Sequence, residues 1–129
     1  MIQGLLALLV SAGMAPRARA QQTAGPSRIV RISRASFPSE KYAAVRNRLA
    51  ASQESLAPAI RQLAGCLGYF AAIDRASSSM LNVSVWRSLA DAQQMQTLAP
   101  MLALAEEFTR DGVRFERPVI NFETLWEVS

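Results

Sequence analysis

Asn82, Ser84 and Trp86 occupy alternate positions in the run Asn82-Val-Ser-Val-Trp86. In an extended strand alternate side chains share a face, so an amide, a hydroxyl and an indole stand side by side. Such a face can wall a small-molecule pocket. The amide and the indole each donate an N–H, and the indole also offers a ring for stacking. Composition excludes other chemistry. The 129 residues contain no histidine, which rules out histidine-based catalysis and histidine-ligated metal or haem. No metal site and no cofactor are expected. The single cysteine, Cys66, lies between Gly65 and Leu67 and has no partner for an intramolecular disulfide. Its neighbours suit a small buried residue better than a nucleophile, because apolar burial raises a thiol pKa.

The elements that position these residues are legible in the spacing of apolar side chains. A first strand is expected over 28–35, with Val30 and Ile32 on one face and Ile29, Arg31 and Ser33 on the other. Pro38 and Glu40 suit a first helical turn, and Tyr42, Val45 and Leu49 form one apolar stripe. Arg46 and Arg48 fall off that stripe and are expected in solvent. Pro58 forbids an unbroken helix, so Ser55 is expected to cap a second, shorter one that faces Ile60 and Leu63 to the core. Gly65 should close it with positive φ. The second strand, 67–74, places Tyr69, Ala71 and Ile73 opposite Phe70 and Ala72. A short polar connection, 75–79, then makes a hairpin with the third strand at 80–87.

Ser88 reads as the N-cap of the next helix, with Asp91 three residues on. Met95, Leu98, Leu102, Leu104 and Phe108 supply an apolar side, Pro100 breaks the region near its middle, and Gly112 ends it. The last strand is expected over 115–128, with Pro118 at a bulge or edge. Ile120, Phe122, Thr124 and Trp126 share one face, and Asn121, Glu123, Leu125 and Glu127 the other. The order β-α-β-β-α-β is the ferredoxin-like α+β arrangement: a four-stranded antiparallel sheet with helices on one face. Several strands are apolar on both faces, which a one-sided sheet does not need. The second face is therefore expected to bury against an identical subunit, giving a homodimer in the form of a dimeric α/β barrel.

Half the residues are hydrophobic and 19% are charged, as in one ordinary globular domain. The 14 basic and 10 acidic residues are scattered, so no nucleic acid partner is expected. Residues 1–20 read as a signal peptide. They hold an apolar run over 4–14, too short to span a bilayer, and end in the small-x-small triplet Ala18-Arg19-Ala20. The opening Met-Ile-Gln carries no basic residue, and a buried N-terminal helix is the competing reading. The expectation is export to the periplasm or medium, cleavage after Ala20, and no membrane association afterwards. Residues 21–27 are a flexible lead-in, and 28–129 form the domain.

Gly65-Cys-Leu-Gly-Tyr69 before the second strand, Asn82-x-x-x-Trp86 in the third, and Ser88-Leu-Ala-Asp-Ala92 opening the following helix resemble one family. That family is the antibiotic biosynthesis monooxygenase (ABM)-like domains of the dimeric α+β barrel superfamily, and the resemblance spans roughly residues 28–128. It implies a pocket between sheet and helices in each protomer. Some members oxidise aromatic polyketides with molecular oxygen and no cofactor, others cleave haem, and many have no assigned activity. In the cofactor-free members an asparagine and a tryptophan at this spacing line the pocket, which points to Asn82 and Trp86 as the catalytic pair. Those members also use a tyrosine and an arginine from the next helical region. Here that region has no tyrosine, and its one arginine is Arg110. Haem-cleaving members need a histidine, which this chain lacks.

Cofactor-free oxygenation requires a substrate that gives up an electron itself, such as an ionised phenol or hydroquinone. The protein must keep it dry and stabilise the oxyanion. Asn82 and Trp86 can donate to that oxygen. Tyr69, Arg31 and Ser84 can bind the substrate, Arg31 by pairing with an anion. Asp74 and Glu123 are the strand carboxylates to consider as base. The expected function is a cofactor-independent monooxygenase acting on a small aromatic or quinone-like compound. The alternative is a non-catalytic dimeric domain that binds a small hydrophobic molecule or serves in stress. There Trp86 simply fills the core, Asn82 bonds the backbone and Tyr69 packs with its hydroxyl toward solvent.

Overall fold

The structure, a computed structural model, describes residues 27–129. The expected signal segment 1–20 and all but the last residue of the lead-in lie outside the described residues. Strand β1 (Ile29–Ser36) is followed by a single 3-10 turn and helix α1 (Tyr42–Ala51), then α2 (Gln53–Arg61). Strands β2 (Cys66–Asp74) and β3 (Ser79–Trp86) form a hairpin. Helix α3 (Leu89–Gln93), a 3-10 segment and helix α4 (Ala99–Arg110) lead to β4 (Arg114–Phe115) and β5 (Ile120–Glu123). Every pairing is antiparallel, in the order β2-β3-β1, with β4 and β5 both on the far edge of β1. This is the expected ferredoxin-like α+β arrangement. The sheet is open: one face is covered by helices, the other is bare in the single chain.

Local chemistry fixes the turns. At the hairpin Asp74 Oδ2 accepts from the Ser77 backbone N–H (2.9 Å) and hydroxyl (2.6 Å), and Ser78 takes φ 51°. Ser88 caps α3 as expected, its hydroxyl accepting from the Asp91 N–H at 3.1 Å. Gly65 has φ +74°, and a Cβ there would overlap the Asp91 side chain, so any other residue would be strained and would have to displace it. Between Cys66 and Gly68 the register shifts by one residue, a β-bulge at Leu67. Cys66 pairs with Trp86 and Tyr69 with Ser84, so both face the helices although they are three residues apart.

The core lies between sheet and helices: Val45 and Leu49 of α1, Leu56 and Ile60 of α2, Met80 and Trp86 of β3, Leu104 and Phe108 of α4. Trp86, Val45 and Phe108 are the largest fully buried side chains. Cys66 is half-buried rather than buried.

Five expectations are corrected. The first helical region divides at Ser52, not near Pro58, which sits inside α2. Ser55 is no cap; it donates to the Ser52 carbonyl (3.3 Å), and Ser52 donates to that of Leu49 (2.6 Å), so both hydroxyls bond back onto the helix. Pro100 starts α4 instead of splitting a helix, because the N–H it lacks would have no helical partner there. The last strand is two short pieces flanking 116–119, since Pro118 has no N–H to give a ladder. Beyond Glu123 the Thr124 N–H donates to the Arg28 carbonyl just ahead of β1 and Arg28 pairs with Glu127 at 3.4 Å, while Leu125 and Trp126 are 86% and 80% exposed. Finally, Arg48 is not free in solvent: it donates to Glu107 (2.8 Å) and Asp111 (2.5 Å), tying α1 to the end of α4.

Candidate functional site

Strand pairing sets out the helix-covered face as rows. Arg31, Ser84, Tyr69 and Asn121 lie in register across four strands, and Ser33, Asn82 and Ala71 form the next row. Over these rows, Met95, Met101, Leu104 and Phe108 of the second helical region make a roof. A cavity of about 340 Å³ lies between, with Arg117 and Pro118 at its side. The floor is polar and the roof apolar, the pattern of a site that buries a ring and orients its substituents.

Two polar atoms facing this space are buried without a hydrogen-bond partner in the protein: the Tyr69 hydroxyl and the carbonyl end of the Asn82 amide. Leaving such groups unmatched costs about 1–3 kcal/mol each, so a folded chain keeps them for a reason. Burial pushes the Tyr69 pKa well above that of a free phenol, despite the opposing pull of Arg31. Its hydroxyl is therefore a neutral donor at any working pH. Arg31 donates from Nη1 to Asn121 Oδ1 at 3.2 Å. Its pKa is lowered, first by burial and then by repulsion from Arg117. No carboxylate lines the cavity among the described residues.

Of the five residues singled out from sequence, four come together here: Arg31, Tyr69, Asn82 and Ser84. Trp86 does not line the cavity. It is wholly buried in the core, and its indole N–H is committed to Ser84 Oγ at 2.8 Å. It fixes the Ser84 hydroxyl from behind and presents neither a face nor a donor to a guest. The two strand carboxylates considered as base are elsewhere: Asp74 is at the hairpin, bonded to Ser77, and Glu123 is exposed on β5. Sequence reasoning missed Arg117 and Gln96. Arg117 lies in the interrupted part of the last strand, where no alternation reveals its side; Gln96 lies in a 3-10 segment with no helical period. Ser33 was readable from its alternation with Arg31.

A wider groove of about 750 Å³ runs between α1–α2 and the free edge of β2. Tyr69 is the one lining residue it holds with an unmatched buried polar atom, so it lacks the convergent donors of the first cavity. Among the described residues no group of histidine, cysteine and carboxylate ligands could hold a metal, and no helix is long and apolar enough to cross a membrane.

No protein-family model matches the chain, and no curated protein matches its sequence. Solved structures do match. A candidate antibiotic biosynthesis monooxygenase from Deinococcus radiodurans aligns over 78% of this chain and 96% of its own, at 19% identity and a TM-score of 0.61. Another from Nitrosomonas europaea aligns over 83% and 99%, at 16% identity and a TM-score of 0.60. SnoaB, a cofactor-independent oxygenase from Streptomyces nogalater, aligns over 79% and 97%, at 15% identity and a TM-score of 0.53. At these identities the likeness establishes the fold: this chain is an ABM-like domain in architecture.

Proposed function

We propose that this ABM-like domain binds a small aromatic or quinone-like compound between sheet and helices, and oxidises it with molecular oxygen without a cofactor. The observation that carries this reading is the pair of buried, unmatched polar atoms on Tyr69 and Asn82, beside Arg31 and under an apolar roof. An ionised phenol or hydroquinone supplies its own electrons to oxygen. The chain's part is to exclude water, orient the ring and stabilise the anion. Arg31 favours the ionised form by its charge, the protonated Tyr69 hydroxyl donates to the oxyanion, and the Asn82 amide fixes a second substituent. With no carboxylate or histidine at the cavity, the substrate must arrive already acidic enough to ionise near neutral pH.

The sheet's bare face carries Phe70, Val83, Ile32 and Ile120 in one row across four strands. We take a second copy to cover it, so the working unit is a homodimer, secreted or periplasmic after cleavage behind Ala20. That missing base also favours a second reading, a non-catalytic carrier of the same aromatic ligand. Oxygen uptake over a panel of hydroquinones separates the two. Turnover that falls at least about tenfold in Asn82→Ala and Tyr69→Phe is the expected result. Binding without oxygen consumption makes the domain a carrier.

A further inference from the structure

We infer that the natural ligand of this cavity is an aromatic acid, its permanent carboxylate held between Arg31 and Arg117; this rests on the aromatic-binding reading above. Two guanidinium groups border one cavity of about 340 Å³, and no acidic side chain lines it to balance them. Arg31 has only a neutral partner, the Asn121 amide oxygen at 3.2 Å. Arg117 reaches only the carbonyl of its neighbour Glu116, at 3.4 Å, and lies 5.0 Å from the centre of the Phe115 ring. Glu123, the strand carboxylate that shares this face, is exposed and outside the lining.

Like charges facing a half-buried space repel, and here the repulsion is felt at Arg31. A structure tolerates it where an anion completes the set. Guanidinium forks suit a planar carboxylate, which accepts two parallel N–H bonds from each. A phenolate oxygen is a single point and engages one fork. The Tyr69 hydroxyl, protonated and without a protein partner, adds a neutral donor on the same floor. The apolar roof then covers the ring. A carboxylate stays ionised throughout the neutral range, so it anchors the ligand whatever the state of the reacting hydroxyl.

Isothermal calorimetry with 2-naphthoate and its neutral near-isostere 2-acetylnaphthalene tests this on the wild-type chain and on Arg117→Gln. The acid should bind at least about tenfold more tightly than the ketone, and Arg117→Gln should cut that preference several-fold by weakening the acid far more than the ketone. Arg117 is exposed, so its substitution leaves the fold intact; Arg117→Lys should restore only part of the preference, since lysine lacks the fork. Equal affinities for acid and ketone would overturn the anion and leave an aromatic pocket standing. Binding of neither would overturn both.

Discussion

The two faces of the sheet invert the usual arrangement. The covered face carries Arg31, Ser33, Tyr69, Asn82 and Ser84 at its centre, all beneath helices. The bare face carries Phe70, Ile120 and Phe122, which are 63%, 50% and 47% exposed. Ordinary folding would put the polar side out and the apolar side in. The inversion teaches that polarity here follows the cavity and not the solvent: polar groups lie under a roof beside a void, and apolar groups lie in the open.

Substitutions on each face can break or sharpen that contrast. The largest effect is expected in the buried roof above the covered face. Phe108→Ala should cost about 3–5 kcal/mol in urea unfolding, whereas Phe70→Ala should cost under about 1 kcal/mol at concentrations where the chain is monomeric. A comparable loss at both would erase the distinction. Next comes the bare face. Phe70→Glu should raise the dimer dissociation constant about a hundredfold or more in sedimentation, because a charge then faces its own copy. A wild-type chain that stays monomeric at high micromolar concentration removes the partner from the comparison.

The third effect is smaller and opposite in sign for stability and binding. Tyr69→Phe removes a buried, unmatched hydroxyl, so stability should hold or rise by up to about 1 kcal/mol, while affinity for aromatic probes falls several-fold. If stability drops instead, the hydroxyl is serving the fold. The smallest effect lies away from both faces, at Arg48 with Glu107 and Asp111. Arg48 holds the Asp111 carboxyl below its ordinary range, mainly through their hydrogen bond. A depressed carboxyl contributes stability above its unfolded pKa and loses it as pH falls through the folded one. Arg48→Met should therefore open a Tm gap of about 1–3 °C at pH 7 that closes in acid. A gap independent of pH would assign the effect to packing of the arginine stem.

Much of the fold was legible because strand alternation is local. The faces of 29–33, 69–73 and 80–86 follow from period two, and the Gly65 and Ser88 signals need only their neighbours. The site was half legible. Alternation put Trp86 on the same face as Asn82, but it could not show that the strand's end lies under solid packing while its middle lies under a void. That depends on how α3 and α4 sit, which Pro100 alone does not reveal. The Arg48 ion pairs join residues about sixty positions apart, a distance at which spacing within one helix says nothing. Arg117 was hidden by Pro118, which removes the ladder that would have fixed its direction.

The bulge at Leu67 gives the edge strand an uneven parity. Cys66 and Tyr69 reach the same side only because one residue is counted twice against the neighbouring strand. Forcing strict alternation on the strand at its full length would turn one half of it inside out, either exchanging Tyr69 for Phe70 in the cavity or expelling Cys66, whereas deleting Leu67 would leave both where they are. The four-residue loop after Asp74 has no such arithmetic. Length can drift freely at that tip, whereas the other end of the same strand keeps count for the whole site.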